Sequence, residues 1–409
     1  MRICRLGINK NRLSRIARLC APVWGAALLL CSCAGRVAPA WVEEALAQAE
    51  AQSLAMARTI EQMPGQLPRS LSPEGELVTS GSDWWCSGFY PGVLWLLYGD
   101  RGNDELKRYA AEFTGRLHDE QYNTTTHDLG FMLFCSYGNA YLQTHEDSCR
   151  TALINGARSL ATRFNPTVGC IQSWEGWDEW RFPVIIDNMM NLEMLMWAYK
   201  QTGDTLFRHV AVTHADKTMR CHFRSDYSSY HVVSYSPETG EVDFRRTNQG
   251  CADESAWARG QAWALYGYTM MYRETGYTRY LEQAHHIARF LLDHPRLPED
   301  KIPYWDFDSP SIPDDFRDSS SAAVMASALL ELSRYSDTGT AEEYYAVAER
   351  QLRTLASPEY TAEYGTNGGF ILKHGVGNVP QDSEIDAPLS YGDYYYIEAL
   401  LRYKHYSAK

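Results

Sequence analysis

The sequence predicts an all-α protein built as a double ring of six helical hairpins. Three observations carry that prediction. Helix candidates of two kinds alternate six times along the 409 residues, strand signals are confined to one short stretch, and no Pro/Ser-rich, Gly/Ser-rich or charged linker divides the chain after residue 40. The helices show as apolar residues recurring at i, i+3 and i+4, clearest through Ala256–Tyr272 and Ser321–Leu332. A ring also accommodates the length. Single cores stop growing at about 250–300 residues, whereas each hairpin of a ring packs only on its neighbours.

In order along the chain, the plain amphipathic helices read as Trp41–Met63, Asp104–Glu120, Glu146–Phe164, Asp204–Phe223, Thr278–His294 and Ala341–Leu355. Between them come helices that open on a motif. The first three open at Asp83-Trp84-Trp85-Cys86-Ser87-Gly88, His127-Asp128-Leu129-Gly130 and Asp187-Asn188-Met189-Met190-Asn191. The last three open at Glu254-Ser255-Ala256-Trp257, Asp318-Ser319-Ser320-Ser321 and Tyr391-Gly392-Asp393-Tyr394. In a double ring the inner helices all present the same end to one mouth, so these motifs would meet in a shared cleft. The stretch His231–Tyr235 with Pro237–Arg246 reads as one short β-hairpin in a loop.

Charge and termini narrow the function. The formal net charge is −13, which disfavours nucleic acid as a partner, since phosphate binding needs a basic stripe. Residues 1–32 carry six Arg/Lys and no acid, ahead of an apolar run, Ala21–Leu30, that is too short to span a bilayer. The run ends in Leu30-Cys31-Ser32-Cys33-Ala34-Gly35, which resembles a bacterial lipobox with Cys33 as the lipidated residue. Residues 1–33 are therefore expected to be a signal peptide, and 34–409 a single domain. The mature protein would be an exported lipoprotein, periplasm-facing or outer-membrane anchored, that meets the membrane only through its lipid. Ordinary cleavage after a small residue is the competing reading. The other six cysteines (Cys86, Cys135, Cys149, Cys170, Cys221, Cys251) show no metal-binding spacing and no legible pairing, and Cys135 reads as a small buried hydrophobe. No metal or other cofactor is expected, and the oligomeric state cannot be read.

Most of the 12 Trp and 27 Tyr must fill the core. Trp84, Trp85, Trp174, Trp177 and Trp180 instead fall in loops or at helix starts, where an aromatic face suits the apolar C–H face of a sugar ring. Two carboxylates join them. Asp128 follows His127 at one helix opening, and Asp187 sits between Val184-Ile185-Ile186 and Met189-Met190 at another. Each alone reads as a helix N-cap; two of them at inner-helix openings, beside His and Asn, read as an acid pair. Apolar neighbours favour the neutral form of Asp187 while the helix dipole opposes it. His231, Gln249, Arg259 and Gln261 could hold a polar, carboxylated sugar. Arg259, inside an apolar helix, needs an anion, either the ligand or a ring neighbour such as Asp253 or Glu254. The serines Ser319 to Ser321 read as a helix cap.

These motifs resemble the unsaturated glucuronyl hydrolases, glycoside hydrolase family 88. The match runs in order from about residue 80 to 402. It takes in the first three openings above, then Thr247-Asn248-Gln249-Gly250, Trp257-Ala258-Arg259-Gly260-Gln261-Ala262-Trp263 and Ser390-Tyr391-Gly392-Asp393-Tyr394-Tyr395. The resemblance implies an (α/α)6 barrel and a substrate bearing a 4,5-unsaturated uronic acid at its non-reducing end, as lyases leave it, with glycosaminoglycan fragments as the expected source. It implies hydration of the C4=C5 double bond instead of attack at the anomeric carbon, so the rule relating carboxylate spacing to stereochemistry does not apply. Asp187 carries over as the acid–base residue, Asp128 as its partner, and the Trp84/Trp85 pair as an aromatic platform. His127, Trp174, His231, Gln249, Arg259 and Trp263 match binding positions. Two other readings compete: the related unsaturated rhamnogalacturonyl hydrolases, acting on pectin fragments, and a non-catalytic glycan-binding lipoprotein, which leaves both aspartates without a role.

Overall fold

Twelve α-helices pair off along the chain, each plain helix followed by one that a motif-bearing segment leads into, in a computed structural model that describes residues 39–176 and 179–407. These residues belong to one compact unit, Arg36–Lys409. The signal segment, Cys33 and Trp177 lie outside the described residues. The pairs are α1 (Ala40–Ile60) with α2 (Phe89–Arg101), α3 (Asp104–Gly115) with α4 (Asn139–Thr144), and α5 (Asp147–Ala161) with α6 (Leu192–Thr202). There follow α7 (Thr205–Cys221) with α8 (Ala258–Thr275), α9 (Thr278–Asp293) with α10 (Ser319–Ser333), and α11 (Thr338–Leu355) with α12 (Ser390–Ser407). A π-helical stretch, Gly130–Gly138, leads into α4, and a 3₁₀ segment, Ile186–Asn191, leads into α6.

Burial sorts the two rings. In α9 the buried residues are Tyr280, Gln283, Ala284, Ile287, Ala288 and Leu291, a single stripe at helical spacing. By contrast α8 is buried without a break from Ala258 to Met271, and α10 from Ser319 to Leu332. A helix apolar on all sides belongs inside. The inner ring closes on itself: α2 packs on the stretch before α4, that stretch on α6, α6 on α8, α8 on α10, α10 on α12, and α12 back on α2. Turns from inner to outer helix are short and capped. Gly203 ends α6 at φ 73°, and Asp204 accepts the Leu206 N–H at 3.0 Å to start α7.

Strand content exceeds the one hairpin expected. A first hairpin pairs β1 (Leu67–Leu71) with β2 (Leu77–Ser80), and a two-residue ladder pairs β3 (Phe164–Asn165) with β4 (Cys170–Ile171). The third sheet contains the expected hairpin, β6 (Val232–Tyr235) with β7 (Val242–Arg246), but adds β5 (Pro183–Ile185) on the far side of β6. That extra strand matters because Asp187 lies two residues beyond its end.

Candidate active site

The sheet brings the first two site residues together. Ile185 of β5 pairs with Val232 of β6, and the Ile186 N–H donates to the His231 carbonyl at 3.0 Å. Asp187, just after β5, and His231, just before β6, therefore stand side by side, with His231 Nε2 3.7 Å from Asp187 Oδ2. The His231 ring has a defined tautomer. Its Nδ1 accepts the N–H groups of Asn248 and Gln249 at 3.0 and 3.1 Å, so the proton sits on Nε2, the nitrogen facing Asp187. Burial, aided by the charge of Arg259, lowers His231 to about 3, so the ring is a neutral donor at working pH. Gln249 thus contributes its backbone to holding His231.

The second motif meets the third through backbone. The Phe131 N–H donates to Asn191 Oδ1 at 2.9 Å, and a Cβ on Gly130 would come within 2.5 Å of the Asn191 Cα. Glycine is needed for that approach. It sets His127 and Asp128 beside Asp187, near enough that the Asp128 charge acts on Asp187. Asp128 Oδ2 accepts from Thr126 Oγ1 at 3.0 Å, and Oδ1 lies 3.3 Å from His127 Nε2. His127 is fully buried, with burial lowering its pKa. Neither aspartate acts as a helix N-cap: no side-chain cap bond starts the segments at Gly130 or Ile186.

Asp187 carries the strongest sign of chemistry. Its carboxyl is pushed up to about 7, first by burial and further by Asp128, against the charge of Arg259 and the nearby Trp263 indole. Burial therefore prevails over the helix-terminus effect that opposed it. Several buried polar atoms here make no hydrogen bond: Asp187 Oδ2, His231 Nε2, Trp263 Nε1, His127 Nδ1 and Asn188 Oδ1. A buried polar atom without a partner is costly. What sets these five apart from the others in the molecule is that they gather beside a carboxyl with a raised pKa.

Aromatic rings build the floor and rim. Trp263 is fully buried and packs on Phe131 and Tyr395 at 5.1 and 5.3 Å. Trp85 joins the same cluster, 4.9 Å from Tyr391 and 5.7 Å from Phe131. Trp84, the preceding residue, is 39% exposed, with the Arg69 guanidinium 4.3 Å over its ring. Trp174, in the loop after β4, packs on Trp180 at 6.4 Å.

Three expectations change. The anion beside Arg259 is neither Asp253 nor Glu254: it is Asp318, 3.5 Å away and wholly buried, while the carbonyls of Val376 and Gly377 accept the guanidinium N–H groups. Glu254 pairs with Arg224 instead, 3.2 Å away. Gln261 is occupied by backbone, accepting the Ser229 N–H at 2.8 Å and donating to the Ser229 carbonyl at 3.2 Å. The cap of α10 is Asp318, which accepts from Ser320 N–H at 3.0 Å and from the Ser320 and Ser321 hydroxyls. Asp318 and the 376–377 carbonyls were missed because they lie 59 to 118 residues from Arg259.

Comparison with known proteins places this geometry. The model of Glycosyl Hydrolase Family 88 matches residues 56–408. An unsaturated glucuronyl hydrolase of Formosa agariphila is 46% identical over 338 residues, 82% of this chain and 84% of that protein. One from a Bacillus species is 36% identical over 358 residues, 85% and 93% of the two chains. Among solved structures, an unsaturated glucuronyl hydrolase specific for heparin superposes with TM-score 0.87 at 49% identity, covering 90% of this chain and 97% of that one.

Proposed function

The chain belongs to glycosyl hydrolase family 88, and on that footing we propose that Asp187 is the acid–base residue of an unsaturated glucuronyl hydrolase acting on lyase-generated glycosaminoglycan fragments. The reading rests on one observation: a buried carboxyl at about 7 whose Oδ2 has no hydrogen-bond partner. A group that must first give a proton and then take one works best with a pKa near the operating pH.

The protonated Asp187 delivers its proton to C4 of the enol ether, and the ring oxygen stabilises the cation that develops at C5. Water adds at C5 and returns a proton to the Asp187 carboxylate, which restores the catalyst. The resulting hemiketal opens at the C5–O5 bond to a C5 ketone. The hemiacetal this leaves at C1 collapses to an aldehyde, breaking the glycosidic bond and releasing the remainder of the oligosaccharide. Asp128 supplies negative charge beside the cation, its carboxylate oriented by Thr126 and His127. The His231 Nε2–H is placed to donate to a substrate oxygen, and Trp84 offers the sugar an aromatic face. The Arg259 charge reaches the pocket as a field.

The test follows the ultraviolet absorbance of the conjugated double bond in unsaturated disaccharides from heparin, chondroitin, hyaluronan and pectin. Heparin fragments come first in that panel, because the solved structure at 49% identity is of a hydrolase specific for heparin. Loss of absorbance with a glycosaminoglycan disaccharide supports the reading. Turnover of the pectin fragment alone would point to a rhamnogalacturonyl substrate, and unchanged absorbance throughout would leave a glycan binder.

We further propose that residues 1–33 direct export and that Cys33 is lipidated, on the strength of the basic leader, the apolar run and the Leu30–Gly35 sequence. Metabolic labelling with a fatty acid should mark the wild type and spare Cys33→Ser.

A further inference from the structure

The opening of α12 holds a carboxylate that the reaction above does not use. Asp393 is buried, and each of its oxygens accepts a backbone N–H: Oδ2 from Ile371 and Oδ1 from Leu372, both at 2.8 Å. These two residues begin a strap, 371–377, that runs past the starts of α12, α10 and α8. Along it the Ser319 N–H donates to the His374 carbonyl at 3.0 Å, Gly375 exchanges two bonds of 2.9 Å with Ala387, and the Val376 N–H donates to Asp318 at 3.2 Å. The strap ends on the two carbonyls that hold Arg259, that of Gly377 at 2.7 Å. Just beyond, Gln381 donates to the Asn248 side chain at 3.2 Å, next to the backbone N–H that fixes His231.

We propose that Asp393 is a positioning residue for the hydrolysis: by clamping the strap it fixes the carbonyls that hold Arg259, and through Arg259 it sets the electrostatics of the Asp187 pocket. This rests on the acid–base assignment of Asp187. The chemistry of the clamp accounts for the residue type. Among side chains of this size only an ionised carboxylate accepts two N–H groups without also presenting a donor, the form Asp393 takes above about pH 7. Arg259 in turn has a long, rotatable stem, and its guanidinium keeps one place because the strap carbonyls and Asp318 hold it. A neutral amide at 393 would turn an NH₂ against one of the two N–H groups and loosen the strap at its root.

The experiment is a double-mutant cycle on the full chain with Asp393→Asn, Arg259→Gln and the pair. It reads kcat and KM across pH with an unsaturated heparin disaccharide, with thermal melting alongside. Each single variant is expected to lower kcat/KM about 10-fold. Because Arg259 opposes the raised Asp187, each should also move the basic limb of the profile to higher pH. The pair should be no worse than the weaker single. Losses that multiply in the pair, or an Asp393→Asn variant that melts early with an unmoved pH limb, would overturn the proposal. Asp393→Ser, whose hydroxyl still accepts from one N–H, takes the place of the amide if that variant does not fold. Amide exchange gives a readout free of turnover. Residues 371–377 should exchange faster in Asp393→Asn than in Asp187→Asn, and equal protection would refute the clamp. A wild-type enzyme without turnover would refute the functional reading instead.

Discussion

Two buried carboxyls stand at the openings of inner helices, Asp187 ahead of α6 and Asp393 in α12, and burial pushes both up to about 7. What they meet is different. Asp393 has an N–H on each oxygen, at 2.8 Å, whereas Oδ2 of Asp187 has no hydrogen-bond partner and faces a neutral imidazole N–H at 3.7 Å. The lesson is that a shifted pKa does not distinguish a reactive group from a scaffold one. The partners of its oxygens do. One carboxyl is held for the fold and the other is left open for a substrate.

The comparison breaks most decisively on turnover. Asp187→Asn keeps the shape but cannot exchange the proton, so kcat should fall by about 10²–10⁴-fold while substrate binding, read by calorimetry, survives. Activity within a few-fold of wild type would remove Asp187 from the mechanism. Asp128→Asn should cost about 10²-fold, through lost charge stabilisation at the developing cation. An effect confined to KM would reduce Asp128 to a binding role.

Melting sharpens the same contrast. A carboxyl raised in the folded state holds its proton there while the unfolded chain has released it. For Asp187 this window runs from the ordinary value of 3.8 to about 7. Stability therefore falls as pH rises through the window and levels off above it. Asp187→Asn removes that penalty, so it should raise Tm above pH 7 and leave it unchanged near pH 4. Asp393 shares that window, and its amide sheds the same penalty above pH 7. The comparison is therefore made near pH 4, where Asp187→Asn is silent and Asp393→Asn, having lost an acceptor for a buried N–H, should lower Tm by the equivalent of about 1–3 kcal/mol. Two melts that moved in the same direction would erase the distinction drawn here. The basic limb of kcat/KM, which reports loss of the Asp187 proton, should lie near 7 in the wild type.

The smallest effect separates the paired tryptophans. Trp84→Ala should raise KM a few-fold with an unchanged Tm, since that ring is 39% exposed and stacks under Arg69. Trp85→Ala should lower Tm, because that ring packs on Phe89, Phe131 and Tyr391. The reverse pattern would make Trp85 the platform.

The sequence by itself determined the ring. Helical periodicity is local, so the alternation of plain and motif-bearing segments located the helices of both rings, and the shared polarity of the inner ones brought the Asp128 and Asp187 motifs toward a common mouth, whereas His231 reaches Asp187 only through the pairing of β5 with β6. It did not reveal β5, three residues long and opening on Pro183, because so short a strand has no period to read. Nor could it decide which effect governs Asp187, since burial by α8 and the charges of Arg259 and Asp128 come from segments distant in the chain. The partner of Arg259 depended in the same way on tertiary structure. Asp318 and the strap pinned by Asp393 reach it only once the ring has closed, and an ion pair is set by distance in space, which spacing along a chain does not encode.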